Sequence, residues 1–246
     1  MGSALGGAFQ VNAAPPPVTL DATFPAVGAD SASNTYIAWE EKDTASGTDY
    51  SIRISKYDAN GVLQSPSRVR VDTGTPGDNT VRHDVALTVD NQNPSTILAT
   101  WWEGLNNGPE TVFSTRLAIT GGSVTFLDTA AVQVNQPPGS PSGLKRAIYP
   151  KAALDQNNTA LVTWQATVND QTQFTWNIFG RSFGLAGGIG NAPLKNDFRI
   201  DLAPRAAAAR APGVARASTA GKFVYAWRDN RAGHYDVYTR LVTSVP

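Results

Sequence analysis

The stretch Tyr225-Ala-Trp-Arg-Asp-Asn-Arg-Ala-Gly-His-Tyr-Asp-Val-Tyr-Thr-Arg-Leu241 decides the fold that we predict for this chain. A short apolar run ends in Trp227, and a polar loop that contains glycine separates it from a second, alternating run. The same unit occurs upstream at Trp39, Trp101 and Trp164, and consecutive copies lie 62, 63 and 63 residues apart. Because four copies account for nearly all of the 246 residues, we predict a repeat protein.

Each repeat contains four segments, a to d, with the pattern of a β-strand. Segment b ends in the tryptophan and is apolar on both faces, as in Leu161–Trp164, which is typical of a strand between two layers. Segment c alternates, as in Thr111–Leu117, and segment d ends on Asp or Asn, as in Arg68–Asp72. The last repeat has no segment d, but Phe9–Asn12 has the same ending at the other end of the chain. An N-terminal strand is therefore expected to complete the last sheet.

These patterns predict an all-β fold, a four-bladed β-propeller with four-stranded antiparallel blades whose ring is closed by residues 8–12. The whole chain forms one domain in this interpretation. Its blades are expected at about 13–72, about 73–135, about 136–201 and about 202–246, the last with strand 8–12. Two alternatives are half of an eight-bladed ring formed by two chains and an open repeat array.

Composition excludes several classes of function. Twenty basic and twenty acidic residues cancel, which argues against a nucleic-acid partner. The chain has no cysteine, which excludes disulfides and thiol catalysis, and with two histidines no metal site or cofactor is expected. No apolar run approaches the ~20 residues of a membrane span. The polar, lysine-poor composition favours a secreted, periplasmic or cell-surface location.

One segment carries a family resemblance. The order apolar-Trp, Asp-x-Arg-x-Gly and Asp-Val-Tyr between Trp227 and Tyr238 resembles the repeats of bacterial TolB-like and sialidase-like propellers. The match is close in the last repeat, whereas the other three retain the tryptophan and the strand pattern. Such propellers include enzymes, lectins and scaffolds, so the resemblance implies a fold before it implies an activity.

The predicted ligand site lies on the face that the long d–a connections and the b–c loops share. These connections span residues 13–23, 73–83, 136–148 and 202–210. Aromatic and charged side chains in or next to these loops are the candidate ligand contacts: Trp102, Trp176, Glu103, Arg146, Arg228, Asp229 and Arg231. The four repeated tryptophans are expected to pack between blades instead.

Catalytic motifs are scarce. The chain has no Gly-x-Ser-x-Gly, no P-loop and none of the Ser-x-Asp-x-Gly-x-Thr-Trp boxes that accompany sialidases. We therefore expect no enzymatic activity and predict a non-catalytic binding module for a carbohydrate or protein partner. One alternative is a structural subunit of a larger extracellular assembly, and another is a sialidase-like glycoside hydrolase. The oligomeric state is not predicted.

Overall fold

The computed structural model describes residues 7–12, 21–43, 47, 49–72, 74–75, 78, 80–90, 96–105, 109–120, 123–135, 144–155, 159–168, 175–185, 188–189, 195–201, 208–217, 219 and 221–243. Sixteen β-strands in this part of the chain form four consecutive antiparallel sheets. The predicted all-β class is confirmed. No helix among the described residues is long and apolar enough to cross a membrane.

Each sheet is built from strands in chain order, and the second carries a divided outer strand. The first contains β1 (Ala22–Ala29), β2 (Thr35–Lys42), β3 (Tyr50–Tyr57) and β4 (Leu63–Arg70). The second contains β5 (Thr80–Val89), β6 (Thr96–Leu105), β7 (Thr111–Thr120), β8 (Ser123–Phe126) and β9 (Val132–Gln133), the last two both pairing with β7. The third contains β10 (Leu144–Leu154), β11 (Thr159–Val168), β12 (Thr175–Gly184) and β13 (Lys195–Arg199). The fourth contains β14 (Ala209–Arg216), β15 (Lys222–Asp229) and β16 (Asp236–Thr243).

The first strand of each sheet is its inner strand. Inner strand β1 packs against β5, β5 against β10, and β10 against β14, so the sheets follow one another around a common axis. A hydrophobic cluster fills each of the three boundaries between consecutive sheets. Trp101, Trp164 and Trp227 are buried in these clusters, each packed against the preceding sheet. The prediction that the repeated tryptophans pack between blades is confirmed at these three positions.

The Asp or Asn that ends segment d has a structural role. Asp72 Oδ2 accepts a hydrogen bond of 2.8 Å from the backbone nitrogen of Ile52, and Asn135 Oδ1 accepts one of 2.8 Å from Val112. In the first and second sheets, the Asp or Asn side chain therefore accepts one more hydrogen bond between the last two strands, beyond the point where their backbone pairing ends. This explains why the ending recurs in the sequence.

The predicted closure of the ring by residues 8–12 is wrong. The described residues 7–12 contain no strand, and the part of the fourth sheet that the structure describes has three strands. The ring of Phe9 instead packs against Tyr57 of the first sheet at 5.3 Å, and the Tyr57 hydroxyl donates a hydrogen bond of 3.5 Å to the Val11 carbonyl. A Val-Asn ending is too short a pattern to specify a strand when an aromatic surface competes for the same segment.

The face of the fourth sheet that points away from the third is exposed. Val237 on β16 is 81% exposed and Leu241 is 57% exposed, whereas Ile52 and Val112, which occupy the position of Val237 in earlier repeats, are fully buried. No comparable packing among the described residues joins the fourth sheet to the first. The described sheets thus form an open arc.

Candidate functional site

A β-bulge recurs in every inner strand. The register of pairing shifts between Thr23 and Ala26 in β1, and the other inner strands shift at the equivalent positions. In each bulge one non-glycine residue has a positive φ of 48–56°: Phe24, Asp84, Tyr149 and Ala211. Left-handed backbone is unfavourable for such residues, and its recurrence near the same end of four strands marks a candidate functional site.

The bulges form three sockets at the boundaries between sheets. Each socket combines two residues of one sheet with two residues of the next. The first two are the residue after the tryptophan and the residue just before segment c. The other two are the bulge residue with the positive φ and the residue that precedes it. The first socket contains Glu40, Tyr50, His83 and Asp84; the second contains Trp102, Glu110, Ile148 and Tyr149; the third contains Gln165, Trp176, Arg210 and Ala211.

The sockets lie on the predicted ligand face. Ala22 at the start of β1 pairs with Glu41 at the end of β2, which places the entry to the inner strand beside the β2–β3 connection. Of the long connections that the sequence analysis assigned to this face, residues 13–20, 136–143 and 202–207 lie outside the described residues.

Glu40 organises the first socket. Its side chain is fully buried, and its Oε1 accepts a hydrogen bond of 2.6 Å from the backbone nitrogen of Asp84. Its Oε2 lies 2.7 Å from His83 Nδ1 and accepts a bond of 3.3 Å from Thr23 Oγ1. A buried carboxylate with three such partners is held in one geometry, and it fixes the bulge and the histidine together.

Aromatic rings surround His83. Its ring centroid lies 4.9 Å from that of Trp102, 5.4 Å from Tyr50 and 6.3 Å from Phe24. These contacts and the bond to Glu40 orient the imidazole, and its second nitrogen, Nε2, points away from the Glu40 bond. A carboxylate-oriented histidine is a suitable general base.

Asp84 carries the perturbed carboxyl group of the site. Burial raises its pKa, and the neighbouring charge of Glu40 raises it further. The indole Nε1 of Trp102 donates a hydrogen bond of 2.6 Å to Asp84 Oδ2, which lowers the pKa in part, as do the charges of His83 and Lys151. Burial in turn lowers the pKa of Lys151. A carboxyl group that retains its proton above the usual range can serve as a general acid.

The predicted contacts Trp102, Trp176 and Arg146 lie in or beside the sockets. Trp102 belongs to the second socket, and its indole nitrogen donates a hydrogen bond to Asp84 of the first socket. Trp176 belongs to the third socket. The Arg146 guanidinium lies 5.4 Å from the Trp176 ring and makes two hydrogen bonds to Glu110. These three residues are thus brought to one face, and their contact with a ligand stays a prediction.

The predicted contact Glu103 is engaged in a charge cluster. Its Oε1 accepts hydrogen bonds from Trp101 Nε1 at 2.8 Å and from Arg82 Nε at 3.1 Å. The Arg82 side chain is nearly fully buried and also pairs with Asp72 and Asp78. These bonds give Glu103 a structural role, and ligand binding by this residue stays a prediction.

The three predicted contacts of the fourth sheet lie apart from the first socket. Asp229 is fully buried, accepts a bond of 3.1 Å from Trp227 Nε1 and pairs with Arg231. The Arg231 guanidinium also stacks on Tyr238. Arg228 is exposed, and its guanidinium lies 5.1 Å from the Tyr235 ring. Their contact with a ligand likewise stays a prediction.

The site residues predicted from the sequence did not include Glu40, His83, Asp84 or Tyr50. One signal was present in the repeats. Three inner strands carry an apolar residue followed by proline at the bulge, as in Phe24-Pro25 and Tyr149-Pro150, whereas the second carries Asp84-Val85. A charged residue that replaces an apolar one at a single repeat position indicates a specialised function. No group of three or more His, Asp or Glu residues suited to a metal ion occurs among the described residues.

Comparisons with known proteins identify solved structures that share the fold. No family model matches the chain, and no curated protein matches it. Solved structures do match. An α-L-arabinanase of Penicillium chrysogenum complexed with arabinobiose aligns with a TM-score of 0.58 at 14% identity, over 92% of this chain and 63% of its own. An α-L-arabinofuranosidase of Fusarium graminearum with arabinobiose gives 0.56 at 13%, over 94% and 66%.

A third solved structure, an endo-arabinase of Bacteroides thetaiotaomicron, gives a TM-score of 0.52 at 12% identity, over 89% of this chain and 74% of its own. The chain spans slightly less than two thirds of the length of the two fungal structures. At these identities the likeness shows the β-propeller fold. The resemblance to TolB-like and sialidase-like propellers is not confirmed by these matches.

Two expectations from the sequence are corrected by these matches. A non-catalytic binding module was predicted, and no enzymatic activity was expected. The three solved structures described above, which share this fold over most of the chain, are two arabinanases and an arabinofuranosidase, which are catalytic proteins. The expectation relied on contiguous sequence motifs, and side chains that converge from different strands form no such motif.

Proposed function

We propose that the chain is a glycoside hydrolase that acts on arabinose-containing glycans through the first socket. The observation that carries the proposal is the arrangement of the first socket, in which buried Glu40 holds both His83 Nδ1 and the backbone nitrogen of Asp84. The raised pKa of Asp84 supports it. The arabinose-containing ligands of the structures that share the fold support the substrate class. Action on such polysaccharides fits the expected location outside the cytoplasm.

In the proposed mechanism protonated Asp84 gives its proton to the oxygen of the leaving sugar as the glycosidic C–O bond breaks. A water molecule forms the new bond to the anomeric carbon, and His83 Nε2 accepts a proton from that water. Glu40, bonded to His83 Nδ1, stabilises the imidazolium that results. Direct attack by water on the face opposite the leaving group inverts the configuration at the anomeric carbon.

Hydrolysis of arabinan, arabino-oligosaccharides and an aryl α-L-arabinofuranoside tests the proposal. We expect Asp84→Asn to reduce kcat/KM by about 10²–10⁴-fold, because it removes the proton donor while asparagine tolerates the left-handed backbone. Asp236→Asn, on the exposed edge of the fourth sheet, is the matched control and should retain full activity. An active Asp84→Asn variant, or a folded wild-type chain that cleaves none of these substrates, would refute the proposal.

The configuration of the first product is a second test. Proton NMR of the freshly released sugar distinguishes an inverted from a retained anomeric centre. Inversion is expected with His83 as the base for water. Retention would require a covalent intermediate on a carboxylate and would exclude this role for His83.

A further inference from the structure

The third socket is the repeat-related counterpart of the first, with its acidic groups replaced. The backbone nitrogen of Ala211 donates a hydrogen bond of 2.9 Å to Gln165 Oε1, as the nitrogen of Asp84 does to Glu40. The geometry of the bulge is therefore retained. The replacements are Gln165 for Glu40, Trp176 for Tyr50, Arg210 for His83 and Ala211 for Asp84. The third socket therefore lacks both carboxylates, retains an aromatic ring and has the permanent cation of Arg210 in place of a histidine.

Two arginines flank the aromatic ring of the third socket. The guanidinium carbon of Arg146 lies 5.4 Å from the Trp176 ring centroid, and that of Arg210 lies 5.8 Å from it. Cations at these distances are attracted by the π-face of an indole. Arg146 is neutralised by its two bonds to Glu110. Arg210 forms no ion pair with any described residue, and its Nε is buried without a hydrogen-bond partner.

The strand next to Arg210 adds a second positive charge. Arg228 is its direct partner in the β14–β15 ladder, and the Arg228 guanidinium contacts the ring of Tyr235. Like charges directly opposite each other on neighbouring strands are unfavourable unless an anion compensates them. The described groups around the third socket therefore leave an uncompensated positive charge beside an aromatic ring.

We propose that the third socket binds a sugar that carries a carboxylate, a uronic acid residue of the substrate. The planar guanidinium of Arg210 matches a carboxylate in geometry, and an indole ring packs against the C–H face of a pyranose. This inference rests on the proposed function and extends it, because it makes an acidic oligosaccharide the substrate class. The first socket then cleaves the chain while the third holds its charged residue.

Binding to matched ligands tests the inference. The ligands are a trimer of galacturonic acid and its carboxyl-reduced form, which differ in charge and share the sugar framework. The affinities are measured by calorimetric titration of the Asp84→Asn variant, because this variant does not turn the ligands over. We expect the uronate trimer to bind about tenfold or more tightly than the reduced trimer, and its affinity to fall as salt is raised.

Variants of the socket locate the binding site. Arg210→Gln should remove the preference for the uronate, Arg210→Lys should retain part of it, and Trp176→Ala should weaken both ligands. Arg216→Gln, at the other end of the same strand, is the matched control and should leave both affinities unchanged. Equal affinities for the two trimers, or a preference that survives in Arg210→Gln, would overturn the inference.

The two proposals fail in different ways. Hydrolysis of neutral arabinosides that depends on Asp84, together with equal binding of the two trimers, leaves the proposed function standing and removes the inference. Arg210-dependent binding of the uronate by a chain that hydrolyses nothing supports the charged site and removes the proposed function. Circular dichroism and thermal melting of each variant show that a lost affinity is not a loss of folding.

Discussion

The indole nitrogen of Trp102 lies 2.6 Å from Asp84 Oδ2 and donates a hydrogen bond to it. The two side chains project from neighbouring strands, β6 and β5, at the point where the bulge in β5 begins. Among the groups that lower the pKa of Asp84, this hydrogen bond has the largest effect, because it stabilises the ionised carboxylate. It therefore opposes the increase in pKa that burial causes. Trp102 thereby sets how far the pKa of Asp84 rises.

Replacing Trp102 by phenylalanine should raise the pKa of Asp84 further. The general acid would then retain its proton to higher pH, and the alkaline limb of the kcat/KM profile should move upward. Trp176→Phe, in the third socket, is the control and should leave that limb in place. A profile of rate against pH measures the effect, and a downward shift in Trp102→Phe would contradict the role of Asp84 as the acid.

Asp84→Asn should stabilise the protein at neutral pH. The folded state holds this carboxyl at a raised pKa, so ionising it costs more in the folded than in the unfolded chain. In the wild type, the protonated Asp84 side chain contributes its full stability below the ordinary pKa of 3.8. This contribution is lost as the pH rises through the raised pKa of the folded state. Urea unfolding at pH 4 and pH 7 should show a gain for the variant at pH 7 and little difference at pH 4.

Asp78→Asn should have the opposite effect. Burial alone would raise the pKa of Asp78, but hydrogen bonds from Arg82 and from the backbone nitrogens of Thr80 and Thr75 outweigh it and lower the value to about 2. Its contribution to stability is therefore present at neutral pH and is lost as the pH falls through about 2. The same unfolding measurements should show Asp78→Asn less stable than wild type at pH 7. An equal gain in stability for Asp84→Asn and Asp78→Asn would mean that the loss of a negative charge, and not the local environment of each carboxyl group, determines the result.

Sequence predicted the repeat and its packing because both depend on local patterns that recur. The spacing of the tryptophans and the alternation of segment c are local, and Trp101 and Trp164 lie between sheets as expected. The contacts at the centre of the first socket were not predicted, because a bulge places Asp84 beside Glu40, 44 residues away, through one backbone contact. The packing of Phe9 also depends on a residue that is distant in sequence, Tyr57, and no local pattern indicates that contact.

The tryptophans of the repeat should differ in how much their indole nitrogens contribute to stability. Trp101 Nε1 donates to Glu103 at 2.8 Å, whereas Trp164 Nε1 is buried without a partner, since Ala166 occupies the position of that carboxylate. Both side chains are fully buried, so replacement by phenylalanine removes a similar amount of packing. Trp101→Phe should cost about 1 kcal/mol more than Trp164→Phe, because it also removes a hydrogen bond to a charged group. Chemical denaturation of the two variants measures the difference, and equal costs would contradict this assignment.

The open end of the arc gives a matched pair of valines with opposite environments. Val112 on β7 and Val237 on β16 hold the same repeat position, yet Val112 is fully buried and Val237 is 81% exposed. Val112→Ala should reduce the free energy of unfolding by roughly 2 kcal/mol through lost burial and the cavity left behind, whereas Val237→Ala should change it by less than about 0.5 kcal/mol. A comparable loss in both variants would mean that the outer face of the fourth sheet is covered in solution. Unfolding measurements over a range of protein concentrations then identify what covers this face. A stability loss in Val237→Ala that grows with protein concentration requires a second copy of the chain.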